Sequence, residues 1–128
     1  MEIRVYDAGK RWADRYTMYF PYPKWMQKED HCIAYYYGFN FHQGNNGKSI
    51  VTRFCGDNAT KPVICCNYGK RVKLSNLPKD IQEMICKLQK VWDILCNERN
   101  RFNDEIWDAW CEDDLDKDKI IKFNIKKN

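Results

Sequence analysis

The sequence predicts an α+β domain, a mostly antiparallel sheet of five or six strands with a long C-terminal helix, continuous or broken, packed on it. Three observations carry this. Up to residue 74 the apolar residues fall in short alternating runs rich in β-branched and aromatic side chains, punctuated by Gly, Pro and Asn. From residue 78 the apolar spacing changes to three and four. At 128 residues the chain has the usual size of one domain, so both patterns are expected in a single unit: sheet-rich over 1–74, helical over 76–111, and an acidic segment with a short terminal strand over 112–128.

Ile3 to Tyr6 reads as the first strand and Arg15 to Phe20 as the second, with the charged segment between them as a hairpin turn. Prolines at 21 and 23 cannot donate to a ladder and end the pairing. HCIAYYYGF, 31–39, is the third strand, and FHQGNNGKS, 41–49, a loop whose Asn46-Gly47 pair signals a turn. SIVTRFC, 49–55, and PVICC, 62–66, follow as strands four and five, and NYGKRVKL, 67–74, as a turn feeding one more short strand. The helical stripe runs through Ile81, Ile85, Leu88, Trp92 and Leu95 to Ile106 and Trp110, with Ser75 or Asn76 as its cap and Pro78 at an early position. A continuous helix over 78–111 would be about 50 Å long. It would overhang a domain of this size, so it either breaks near Asn97 to Asn103 or packs against a second copy. IIKFNIKK then has the alternation of an edge strand.

No motif names a reaction, and no catalytic residue, metal or cofactor is expected. Cysteines at 32, 55, 65, 66, 86, 96 and 111 lack the C-x₂₋₄-C knuckle that aims two thiolates at one zinc ion. GNNGKS, 44–49, ends like a phosphate-binding P-loop, but His42 stands where its first glycine is required, and the flanks read strand-loop-strand. Seven cysteines without an apolar leader point to thiols in the cytoplasm, and no stretch approaches the ~18 apolar residues of a membrane span.

Charge divides the chain. Residues 1–103 carry 17 Lys and Arg against 10 Asp and Glu, while residues 104–128 carry 5 against 8. On the basic part, Lys10, Arg11, Arg15, Lys48, Lys70 and Arg71 are candidate anion or nucleic-acid contacts, with Tyr16 to stack and His42 in a glycine-rich loop. A structural account of the same opening turn stands beside this one: Asp7 bonds backbone N–H groups, Gly9 supplies an unusual φ, and Asp14 pairs with a nearby base. On the acidic part, DEIWDAWCEDDLDKD, 104–118, carries Trp107, Trp110, Glu112, Asp113, Asp114 and Asp116 as candidate partner contacts. Acid at a helix C-terminus opposes the helix dipole, a small cost that needs some other reason, and a partner would be one.

DAGKRWADRYT and the later YGKRVKLSNLPKDIQ resemble a family of small bacteriophage and prophage proteins that open with D-N-G-G-K-[ST]-A-D-R-Y-T and carry a G-K-[RK] turn before a Leu-Pro helix start. The match covers Ile3 to Thr17 and Tyr68 to about Ile85, closest at Ala13 to Thr17, with departures at Ala8, Arg11 and Trp12. The resemblance transfers no catalytic residue. It implies an interaction protein in the host cytoplasm that inhibits a nucleic-acid-handling or defence complex such as a CRISPR effector, its acids and tryptophans filling a cleft built for nucleic acid. Direct nucleic-acid binding is the alternative, and a small enzyme or nucleotide-binding protein using the 7–17 turn, His42 and Lys48 is the third reading.

Overall fold

The computed structural model describes residues 2–11, 15–30, 32–43, 46–47, 49–59, 69–112 and 115–127. Strands β1 (Arg4–Asp7), β2 (Tyr16–Pro21), β3 (Ala34–Gln43) and β4 (Ser49–Ala59) form an antiparallel sheet, and a three-residue strand β5 (Lys70–Val72) lies along the outer edge of β1. The order is β4-β3-β2-β1-β5. A short helix α1 (Lys24–Asp30) joins β2 to β3, and three helices complete the chain: α2 (Lys79–Leu95), α3 (Asp104–Cys111) and α4 (Asp118–Lys127).

This corrects the expected sheet of five or six strands. Its body is the four strands β1 to β4, the candidate strand at 62–66 falls outside the described residues, and the C-terminal strand is a helix. The alternation of Ile121, Phe123 and Ile125 suggested a strand, but Ile120 is the fully buried residue and Ile125 is 67% exposed. Burial at Ile120 with half-buried Ile121 and Phe123 follows a helical face, which packs against both α2 and α3. The third strand also runs on to Gln43 instead of ending at 39, because Phe41 continues the inward alternation begun at Tyr37 and Phe39.

Of the two readings of the helical stretch over 78–111, the broken one holds. Three asparagines in turn break it. Asn97 leaves the helix with extended backbone and accepts a bond from the Arg99 N–H at 3.2 Å. Buried Asn100 donates its side-chain amide to the Ile94 carbonyl at 2.8 Å, adding to the bond that this carbonyl accepts from the Asn97 N–H at 3.3 Å. Asn103 caps α3, accepting from the Ile106 N–H. At 17 residues α2 is about 25 Å long and fits the sheet, so the reason for a second copy falls away. Ser75 and Asn76, expected as its caps, lie in a separate 3₁₀ turn (Leu74–Asn76), and Pro78 occupies the cap position without a side-chain bond.

The core lies between one sheet face and α2. Val5, Met18, Phe20 and Phe39 meet Ile81, Ile85, Leu88 and Trp92, all at 7% exposure or less. Ile3 anchors the sheet to the helix through its N–H, which donates to Gln89 Oε1 at 2.7 Å. A smaller cluster of Tyr6, Tyr19 and Ala34 forms on the opposite face.

Candidate nucleic-acid interface

Because every neighbouring pair of strands is antiparallel, the β1–β2 turn, the β3–β4 turn and the start of β5 fall at one end of the sheet. Topology therefore collects candidates that lie far apart in the chain. Lys10 and Arg11 are exposed in the first turn, His42 is exposed near the end of β3, and Lys70 and Arg71 are exposed on β5, with Lys70 opposite Asp7. Lys48 lies outside the described residues.

The geometry of this end is set by Asp7. Its carboxylate accepts two bonds at 2.8 Å from Arg15, through Nε and Nη2, and a third from the Gly9 N–H at 2.9 Å, Gly9 adopting φ +98°. The structural account of the turn thus holds for Asp7 and Gly9, with Asp7 itself, rather than Asp14, as the described partner of the base; Asp14 lies outside the described residues. The Arg15 hydrogen bond is the main cause holding the Asp7 carboxyl below the usual carboxylate range, with the Gly9 bond adding to it against the opposing effect of burial. A lowered carboxyl stabilises the fold above its ordinary pKa and ceases to do so as pH falls through the lowered one, so this clasp weakens only in acid. Arg15 also lies over the Tyr16 ring, 5.0 Å from its centre, and Tyr16 stacks on Phe41 at 5.0 Å.

Beside this end opens a cleft of about 660 Å³. It is lined by Asp7, Arg15 and Tyr16 from the first hairpin, by Arg71, Val72 and Lys73 from β5 and the residue after it, and by Ser75, Asn76 and Leu77. The sequence reading missed Lys73, Ser75 and Asn76 as candidates. Arg71 and Lys73 stand two residues apart on extended backbone, a spacing that puts them on one side, and this was the available signal.

The acidic candidates are arranged differently. Trp110 joins an aromatic cluster with Phe20 (5.4 Å), Tyr35 (5.6 Å) and Trp92 (5.3 Å between ring centres). Trp107 is half-buried and donates its indole N–H to the Asn100 carbonyl at 3.1 Å. Glu112 pairs with Lys119 at 3.1 Å, and Asp116 pairs with Lys87, which also bonds Asp118. Asp113 and Asp114 lie outside the described residues.

The compensating group for the acidic helix end is internal. Lys117, 8% exposed and at φ +49°, donates its ammonium to the carbonyls of Trp110 (2.6 Å) and Glu112, and lies over the Trp110 ring. A cation at a helix C-terminus satisfies left-over carbonyls and complements the dipole. Most of the described acidic candidates are thereby engaged within the fold. Asp104, Glu105 and Asp108 of α3 remain exposed.

Among the described residues no three His, Cys, Asp or Glu side chains are grouped to hold a metal ion. Burial pushes the Cys96 thiol up to about 12, whereas Cys86 and Cys111 are exposed. At pH 8 roughly one Cys96 in ten thousand is thiolate. About a quarter of an ordinary exposed thiol is ionised there. Iodoacetamide with peptide mapping is therefore expected to modify Cys86 and Cys111 while sparing Cys96 until denaturant is added; equal rates in the folded protein would show Cys96 to be open to solvent.

No known protein family, characterised protein or solved structure matches this chain. The fold joins two stretches that lie far apart in the chain, the end of β1 and the start of β5. Gly69 lies directly against the Asp7 carbonyl, and β5 pairs with β1.

Proposed function

We propose that this chain is a binding protein without catalytic activity that engages a polyanion, nucleic acid in the first place, through the hairpin end of its sheet. One observation carries the reading. The topology brings Lys10, Arg11, Arg15, Lys70, Arg71 and Lys73 to that end and its cleft, where Asp7 clasps Arg15 and Glu2 stands 3.7 Å from Arg71. The excess of positive charge suits a phosphate backbone, whose bound counterions are released when cations replace them.

A second reading, favoured by the exposed acids of α3, keeps the chain as a phage or prophage protein that occupies a host nucleic-acid-handling complex. Capture from a bacterial lysate, with and without nuclease, separates the two. Under the first reading nucleic acid is retained, is released by salt, and is lost from a Lys10→Gln, Arg11→Gln, Lys70→Gln variant. With purified DNA or RNA, that triple variant is expected to flatten the log–log salt dependence of affinity by about two, since each phosphate contact contributes roughly 0.7 to 0.9. A host protein retained in equal amount after nuclease treatment, and lost on Asp104→Asn with Asp108→Asn, overturns the first reading in favour of the second.

A further inference from the structure

We propose that the cleft beside the hairpin end takes one nucleotide unit of a single strand, its phosphate between Arg15, Arg71 and Lys73 and its base against the inner wall. The inference rests on the nucleic-acid reading and narrows it from a polyanion to an unpaired strand.

At about 660 Å³ the cleft has room for a nucleotide unit, and it is more open than enclosed. Its cations come from two separate strands and the turn that follows one of them. Arg15 comes from β2, held by its clasp on Asp7 through Nε and Nη2, which leaves Nη1 outside that pair. Arg71 and Lys73 come from the β5 side, Arg71 with a half-exposed side chain and Lys73 exposed. Pre-positioning of Arg15 means less side-chain freedom is lost when an anion arrives. An arginine presents a planar fork that matches two phosphate oxygens, and the lysine supplies a mobile point charge.

The rest of the lining suits a base. Val72, Leu77 and Tyr16 supply the smaller, apolar part of the lining; Leu77 and Tyr16 are almost wholly buried, and Tyr16 is fixed by its stacks on Phe39 and Phe41. Ser75 and Asn76 are exposed on the 3₁₀ turn at the rim. An asparagine amide carries a donor and an acceptor side by side, the pattern that pairs with a base edge. These groups have no use for a phosphate backbone alone. In a duplex each base is stacked and paired, and drawing it into a cleft requires unpairing, so a single strand is the favoured occupant.

The test compares a short labelled single strand with the same sequence as duplex, by fluorescence anisotropy, for the whole chain and for Arg71→Gln and Asn76→Leu. The single strand is expected to bind about tenfold more tightly than duplex, and a nucleoside monophosphate to compete with it where inorganic phosphate at equal concentration competes less. Arg71→Gln weakens both complexes. Asn76→Leu, which changes no charge, weakens only the single-strand complex, by about tenfold, with the circular dichroism of the fold unchanged. Equal binding of strand and duplex, with Asn76→Leu silent, overturns the cleft and leaves the polyanion reading standing. Binding of neither nucleic acid overturns both.

Discussion

Gly69→Ala is expected to unseat β5 from the sheet and to cost about 3 kcal/mol or more. Gly69 adopts φ +81°, a region that L side chains rarely enter, and an added methyl group would lie 1.8 Å from the Asp7 carbonyl oxygen and 2.6 Å from the Ala8 Cα. Both neighbours are backbone, so no rotamer change relieves the overlap. The strain also falls at the point where β5 begins, and β5 is only three residues long, so moving it away from β1 is the cheapest escape. Gly47→Ala is the control. Gly47 has a similar φ of +78° with nothing within 4 Å of the added carbon, and its substitution is expected to cost only the conformational strain, about 1 kcal/mol. Urea denaturation of the two variants separates crowding from backbone strain, and equal shifts would show that the close approach of Gly69 to Asp7 does not matter. Release of β5 would also carry Lys70 and Arg71 away from the hairpin end, so nucleic-acid affinity is expected to fall in Gly69→Ala and not in Gly47→Ala.

How far the sequence reveals this arrangement depends on how local each determinant is. The opening hairpin is legible because Asp7 and Gly9 settle their turn within two residues, and the stripe from Ile81 to Leu95 because its period is uninterrupted. The break after α2 is only half legible. Three asparagines lower helix propensity over 97–103, but the bond from Asn100 to the Ile94 carbonyl exists only once the chain has turned back. The tail misleads because Ile121, Phe123 and Ile125 alternate, and the burial of Ile120 against α2 and α3 is a tertiary choice. Lys117 escapes for a similar reason. Its neighbours in sequence are acids, whereas its ammonium serves carbonyls back at the end of α3. For the site, the separate basic residues are visible in the sequence, but their gathering follows from the strand order, which pairing decides and local pattern does not. The start of β5 joins the two turns at that end only because β5 returns to the side of β1.

Trp92→Ala is expected to be the most damaging single truncation in the core. The side chain is fully buried, donates its indole N–H to the Pro21 carbonyl at 2.9 Å, and packs with Phe20, Tyr22 and Trp110 at 5.3 to 5.5 Å between ring centres. Truncating a buried tryptophan costs about 3 to 5 kcal/mol, and the Pro21 carbonyl loses its donor as well. Domains of this size are stable by roughly 5 to 15 kcal/mol, so the variant is left at the margin of folding. Trp92→Phe, which keeps a ring and loses the N–H, is expected to cost about 1 to 2 kcal/mol. The position of Trp110 makes the comparison informative for function. Its ring bridges Trp92, Phe20 and the Lys117 ammonium, so Trp110→Ala should also destabilise the fold, and a Trp92, Trp110 double-mutant cycle should show coupling of about 0.5 to 3 kcal/mol. Zero coupling, with Trp110→Ala as stable as the unmutated chain, would mean that Trp110 is not a core residue and would return it to the acidic partner-binding surface. Strong coupling means instead that loss of partner binding in a Trp110 variant reports loss of structure. The exposed acids of α3, Asp104 and Asp108, are then the positions at which a protein partner can be tested without disturbing the core.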